Sequence, residues 1–461
     1  MKRLAENRLV EWLRSETRKP LVIRGARQVG KSTLVRQFAR ENGLTLHEIN
    51  LERYPKLQDV FSTHDTGRIL KELEYICRQG PIHTTGSLLF LDEIQAVPIA
   101  IQTLRYFLED CPDLPVVAAG SLLEFSLSKH SFSMPVGRIE YLFLGPVTFK
   151  EALAEMNETD LLSLVSEHVL PDSFPIVAHE RLLEILRVYF LTGGMPEAVQ
   201  RYIDTRDLNQ VFDVHVSIIE TYRDDFSKYA TRADLLRLHR VFDHIPIAVG
   251  NRIKYANIDP HEQARDLRRA LDLLAKAQVI LKAFHTDASG LPLQATVDPL
   301  KFKTYFMDCG LMNSMCGIQW ISPGELKSRD FINKGRVAEQ FFAQHLAYSG
   351  KTNKRPALTY WAREGRASNA EVDFVVQFGQ TIVPVEVKAG KSGSLKSLLQ
   401  FASEKKTSTA MRFDLNPPSL QQVGHAIRQA SATMDVEFHL ISLPLYMAEE
   451  AERLFMKAGE S

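Results

Sequence analysis

One stretch near the start of the chain restricts its fold more than any other. The apolar run Pro20-Leu21-Val22-Ile23 reads as a buried strand. It enters Gly25-Ala26-Arg27-Gln28-Val29-Gly30-Lys31-Ser32, which satisfies G-x-x-x-x-G-K-[ST], and helical apolar spacing resumes from Thr33 to Ala39. Gly25 and Gly30 let the backbone curl so that successive amides point inward at phosphate oxygens. Lys31 supplies a point charge toward the β- and γ-phosphates, and the Ser32 hydroxyl is an expected Mg²⁺ ligand. The following helix turns its positive N-terminal end toward the same anion. Residues 25–33 are therefore the expected nucleotide contact.

A phosphate loop needs an acidic partner at the end of a second buried strand. Ser87-Leu88-Leu89-Phe90-Leu91 ends in Asp92-Glu93, about 60 residues beyond Lys31. Asp92 is expected in the Mg²⁺ shell and Glu93 beside the attacking water. Further strand signals lie at Leu46–Leu51 and Leu114–Ser121. Ser121 reads either as a γ-phosphate or water sensor or as a plain strand-end residue. Arg138 reads either as a finger reaching a neighbour's γ-phosphate or as a surface ion pair. The strand–helix alternation predicts a parallel sheet covered by helices over residues 1–150, with ATP and Mg²⁺ as cofactors.

Composition removes several alternatives for the rest. The 461 residues include 56 Lys+Arg and 56 Asp+Glu, a formal net charge of +0. That balance argues against coating nucleic acid through bulk positive charge, while a local basic patch stays open. With 45% hydrophobic and 24% charged residues, the chain is neither disordered nor collagen-like. Cys77, Cys111, Cys309 and Cys316 form no C-x-x-C pair and read as buried free thiols of a reducing compartment. The basic start lacks the apolar stretch of a signal peptide, and no run is long enough to span a bilayer. A cytoplasmic location with no membrane partner is expected.

Residues 151–230 turn helical, over Phe149–Met156, Glu180–Phe190 and Asn209–Lys228. Gly193-Gly194 with Pro196 marks a turn, serving either a moving hinge or a static bundle. Residues 231–325 then follow the order of a winged helix. Helices Leu235–Val249 and His261–Lys276 precede a strand at Val279–Phe284, a turn at Asp287–Gly290 and a returning strand at Gln294–Val297. Arg265, Arg268, Arg269 and Lys276 on the second helix suit DNA phosphates. Asp266 and Asp272 dilute that face, which a merely solvated helix would also show.

A second chemical signal lies in residues 326–461. Asp330–Tyr348 reads as an amphipathic helix carrying Glu339. Glu371–Val376 and Thr381–Lys388 read as a hairpin around Phe378-Gly379-Gln380. Alternation places Glu386 and Lys388 on one face, with Asp373 across the hairpin. This region resembles PD-(D/E)xK nucleases. The resemblance implies that Asp373, Glu386 and Glu339 hold Mg²⁺ while Lys388 positions or activates water. An ion-pair scaffold would use the same residues. Phe331–Lys396 holds 10 Lys+Arg against 5 Asp+Glu, an excess fitting a polyanion.

Taken together, the chain resembles the uncharacterised prokaryotic AAA-type ATPases. Its markers are Gly25–Ser32, Leu91-Asp92-Glu93, Ala119-Gly120-Ser121, Val136-Gly137-Arg138, Gly145–Phe149, Thr192–Val199, Tyr305–Leu311 and Val383–Lys388. Ala119 departs from the Thr such relatives often carry. The expected fold is α/β: a P-loop AAA-type ATPase core, a helical lid, a winged-helix-like module and a restriction-endonuclease-like C-terminal domain. The expected function is ATP hydrolysis coupled to action on DNA, with a homo-oligomer possible. The alternative is a nucleotide-gated interaction or DNA-binding switch whose nuclease fold is catalytically silent.

Overall fold

A computed structural model of the chain describes residues 1–82, 86–120, 134–229, 231–318, 335–349, 353–363, 370–390, 394–429 and 432–459. Strands β1 (Leu21–Arg24), β2 (Thr45–Asn50), β3 (Ser87–Asp92), β4 (Val116–Gly120) and β5 (Glu140–Phe143) form a parallel sheet ordered β2-β3-β4-β1-β5. Apolar side chains alternate between its faces. Leu21, Ile23, Leu88 and Phe90 join one core, while Val22, Leu89, Leu91 and Val116 join another. Helices cover both faces, as near-continuous apolar strands require. Parallel pairing brings the C-terminal ends of β1 and β3 to one edge, separated only by β4, so the phosphate loop and Asp92 emerge together.

The helices expected at Glu180–Phe190 and Asn209–Lys228 run longer than their apolar spacing suggests, Ile176–Thr192 and Leu208–Tyr229. Gly193 between them has φ +64°, and a Cβ there would lie 2.1 Å from Asp308 Oδ1. The Gly194 amide donates to Asp308 Oδ2 at 2.6 Å, and the Gly194 carbonyl accepts from Val147 N at 2.6 Å. This turn is a packed joint to distant segments, which is why glycine is needed twice.

In the middle region, Arg232–His244 and Ala264–Lys276 are helical, and β6 (Ile280–Thr286) pairs with β7 (Val297–Phe306). The returning strand thus begins at Val297, three residues beyond the expected start, after a short 3₁₀ turn at Leu293–Thr296. The hairpin is also no free wing. The other edge of β6 pairs with β8 (Leu358–Ala362), which pairs with β9 (Glu371–Val372), giving a sheet ordered β7-β6-β8-β9. An exposed edge is thereby covered by the C-terminal region.

The expected strand Glu371–Val376 breaks at Asp373. Beyond it, β10 (Phe374–Phe378), β11 (Thr381–Val387), β12 (Thr409–Asp414), β13 (Ser419–Gln429) and β14 (Ala432–Pro444) form a sheet ordered β10-β11-β12-β14-β13. The chain therefore changes sheets at Asp373. Helix Gly335–Tyr348 is buried on most sides, not amphipathic. Gln340 bonds both backbone groups of Phe306, and Gln344 Oε1 accepts from Cys309 N at 2.9 Å. His345 Nε2 accepts from Phe149 N at 2.9 Å. These polar side chains satisfy backbone groups of two other regions.

Among the described residues, no helix is long and apolar enough to cross a membrane. All four cysteines are free thiols, but only Cys309 is buried; Cys316 is exposed and the others are half-buried.

Candidate functional site

The loop after β1 rises into helix Lys31–Glu41. Gly25 is required by crowding, since a Cβ there would sit 2.2 Å from the Leu144 carbonyl oxygen. Lys31 Nζ donates to the carbonyls of Gly25 (3.1 Å) and Ala26 (2.7 Å). Burial lowers its pKa to about 8, opposed by the nearby charges of Glu93 and Asp92. Ser32 Oγ donates to Asp92 Oδ2 at 2.8 Å, so hydroxyl and carboxylate share one small space. Burial raises the Asp92 pKa, with the Ser32 bond opposing it. Glu93 holds a left-handed conformation, φ +51°, that aims it away from the strand direction. Its amide donates to Asp92 Oδ1 at 3.1 Å, and the Gln95 side-chain amide donates to its carboxylate. Ser32 and Asp92 are the donor types an ATP-bound Mg²⁺ needs, and they already meet.

Residues outside the motif hold the loop from two sides. The buried Arg3 guanidinium donates to the Val29 carbonyl at 2.9 Å, the Gly145 carbonyl at 2.8 Å and Glu151 Oε2 at 2.9 Å. Glu151 also closes a capping box with Thr148 and accepts from Leu4 N at 2.6 Å. Opposite, the Tyr222 hydroxyl donates to the Arg27 carbonyl at 2.8 Å, and Asp225 pairs with the Arg27 side chain. Gln95, Arg3, Tyr222 and Asp225 escape motif reading because their partners are remote or carry no pattern. The Thr148–Glu151 capping box was the one local signal that pointed toward Arg3's partner.

The C-terminal residues also come together. Asp373 Oδ2 accepts from Val387 N at 2.8 Å, which ties the strand break to the end of β11. Glu386 pairs with Lys388, and its buried Oε2 has no hydrogen-bond partner among the described residues. Tyr305 donates to Glu339 Oε2 at 3.3 Å. Lys303, two residues before Tyr305, is 2% exposed and lies 2.5 Å from Glu371 Oε1. Burial, then mutual repulsion with Asp373, raises the Glu339 and Glu386 pKa values; burial also raises that of Asp373. Lys303 stays charged despite burial because Glu339, Asp373 and Glu371 surround it. Among the described residues, no group of three or more His, Cys, Asp or Glu is placed to hold a metal ion. Asp373 spends an oxygen on a backbone amide, and Lys388 lies on Glu386.

With this geometry in view, residues 17–153 match the family described as an AAA domain. Residues 183–322 and 334–426 match two families, DUF8612 and DUF4143, each described as a domain of unknown function. No curated protein matches the chain significantly. Similar solved structures include the ORC2 protein of Aeropyrum pernix, 14% identical over 68% of this chain and 91% of that one, TM-score 0.30. Another is the RuvB Holliday junction branch migration motor of Thermotoga maritima, 17% identical over 60% and 88%, TM-score 0.28. Likenesses of that strength decide nothing about this chain.

Ser121 lies outside the described residues. Arg138 is half-exposed, with its Nε 3.4 Å from Glu109 Oε1. In the middle region Arg265, Arg268, Arg269 and Lys276 are all exposed along one helix, whose opposite face buries Leu267, Leu271 and Leu274.

Proposed function

We propose that this protein is an ATP-hydrolysing AAA-type switch that engages DNA without cutting it. The observation that carries the ATPase reading is the convergence of Lys31, Ser32, Asp92 and Glu93 at the C-terminal edge of one parallel sheet. ATP offers the Lys31 ammonium anionic oxygens in place of the Gly25 and Ala26 carbonyls. The amides of residues 25–33 and the helix N-terminus surround the phosphates. Ser32 and Asp92 would hold Mg²⁺, which would supply neutralisation of the charge that develops on the phosphate oxygens. Glu93 orients the attacking water once released from Gln95. Arg27, tied to Tyr222 and Asp225, carries loop rearrangement into the lid.

For the C-terminal domain, two readings of the same residues compete. The silent reading is favoured by the lysines already set against the carboxylates, Lys303 buried beside Glu371 and the half-buried Lys388 on Glu386. The DNA role is supported by the exposed cations of helix Ala264–Lys276. The nuclease reading is favoured by Asp373, Glu386 and Lys388 meeting at a hairpin, and by the Glu386 Oε2, unpartnered among the described residues. Linear and supercoiled DNA incubated with Mg²⁺ or Mn²⁺ separate the two. We expect salt-sensitive binding and intact DNA for both wild type and Asp373→Ala. Metal-dependent cutting by wild type that Asp373→Ala abolishes establishes the nuclease instead. Absence of DNA binding at low salt refutes the DNA role altogether.

A further inference from the structure

The acidic cluster of the C-terminal domain raises a question that its motif does not answer: what balances its charge. Glu339 comes from helix Gly335–Tyr348, Glu371 and Asp373 flank the break between β9 and β10, and Glu386 ends β11. Glu339 and Glu386 are joined to lysine-bearing strands by hydrogen bond or ion pair, and Glu371 stands at the open side, 41% exposed. Buried carboxylates of this number persist only when paired with cations or protonated.

The structure contains a cation in that space. Lys303 reaches in from the middle of β7, buried to 2% exposure, with its ammonium 2.5 Å from Glu371 Oε1 and 5.1 Å from the Tyr360 ring centroid. Two residues on along the same face of β7, Tyr305 donates to Glu339. Arg252 adds a second charge at the rim, 3.8 Å from Glu371 Oε2. Lys388 completes the set on Glu386. Four carboxylates thus face Lys303, Lys388 and Arg252, near neutrality without a metal. None of these strand positions is arbitrary. β7 is brought here because β6 shares its other edge with β8 of the C-terminal region.

We propose that Lys303 is the resident cation of this cluster and excludes a divalent ion from it. This rests on the reading of the domain as non-cleaving. A Mg²⁺ or Mn²⁺ ion entering would meet a buried ammonium with little water to screen the repulsion. It would also have to detach Asp373 from the Val387 amide and Lys388 from Glu386. Removing Lys303 leaves the acids with an uncompensated charge, the condition that recruits a metal. The middle region thereby sets the chemistry of the C-terminal cluster, a role that neither region shows by itself.

Mn²⁺ titration of the nucleotide-free full-length protein, read by the electron paramagnetic resonance of free Mn²⁺, tests this directly. Wild type and Asp373→Asn are expected to bind the same number of ions, because the cluster holds none. Lys303→Met is expected to gain one site, which Lys303→Met/Asp373→Asn loses again. One more ion on wild type than on Asp373→Asn overturns the proposal. So does a folded Lys303→Met protein that gains no site. If Lys303→Met does not fold, the wild-type and Asp373→Asn comparison still decides. DNA binding in EDTA is followed in parallel by fluorescence anisotropy. A cluster ion with intact, bound DNA overturns the role of Lys303 alone, whereas metal-dependent cutting overturns the non-cleaving reading itself.

Discussion

Arg3 should govern both the stability of the AAA domain and its grip on nucleotide. Its guanidinium and the Glu151 carboxylate are 6% and 4% exposed, and one side chain joins Val29, Gly145, Pro146 and Glu151. Arg3→Ala leaves Glu151 buried beside only backbone N–H donors, a loss of about 3–5 kcal/mol for breaking a buried pair from one side. The Val29 carbonyl separately loses a charge-assisted hydrogen bond worth about 1.5–3 kcal/mol. If ATP must then re-order the freed loop, affinity falls roughly 10- to 100-fold. Urea unfolding and a fluorescent-nucleotide titration, run where every variant is folded, measure the two effects. Glu151→Gln separates them. It removes the ion pair but leaves Arg3 on Val29, so stability should fall while nucleotide affinity stays near wild type. Arg3→Lys keeps the charge without the fork and should fall between wild type and Arg3→Ala in both assays. Unchanged affinity in folded Arg3→Ala protein refutes the argument that this contact shapes the loop. Unchanged stability refutes the buried-pair argument.

Three further outcomes follow from the same structure. Burial lowers the His345 pKa to about 4, where its Nε2 must stay unprotonated to accept from Phe149 N. Since the folded value lies below the ordinary 6.5, the neutral ring's contribution is complete above about pH 6.5 and is lost as pH falls toward 4. The loss approaches 3 kcal/mol at ~1.4 kcal/mol per pKa unit. His345→Gln, which keeps an acceptor without titrating, should flatten that acid limb in urea unfolding measured from pH 7 to 4; an unchanged limb rejects the assignment. Gly193→Ala forces a Cβ to within 2.1 Å of Asp308 Oδ1 and should cost more than about 3 kcal/mol, or abolish soluble expression. A stable, fully active Gly193→Ala protein would show that this joint is looser than its geometry. Lys31→Ala should weaken ATP binding roughly 10- to 100-fold by removing a charge-assisted phosphate contact, read by calorimetry; retained affinity would displace Lys31 from the site.

The parts of this site that travel with a local pattern were readable in advance. Gly25–Ser32 sits between a strand and a helix, Asp92-Glu93 ends an apolar run, and the Asp373–Lys388 hairpin follows strand alternation. Each signal lies within one or two adjacent elements. Arg3, Tyr222, Asp225 and Lys303 acquire meaning only from partners roughly 25 to 200 positions away, and singly they look like ordinary surface or core residues. Helix Gly335–Tyr348 shows the same limit in another form. An amphipathic reading leaves no buried role for Gln340 and Gln344, yet they bond the backbone of Phe306 and Cys309 and the Asp308 carboxylate. The break at Asp373 was hidden because a strand that changes sheets keeps its alternation. The free edge of β6 was likewise closed by a segment more than 70 residues downstream, which no local reading of a winged helix anticipates.

The central claim, that Glu93 beside Asp92 makes this AAA domain an ATPase, is tested by following ATP retention and phosphate release together on wild type and Glu93→Gln. The account predicts turnover by wild type. The variant should bind Mg-ATP with similar affinity but release phosphate slower by roughly 100-fold or more, the scale of losing a positioned base. Hydrolysis by Glu93→Gln at the wild-type rate, or no nucleotide binding by wild type, contradicts it.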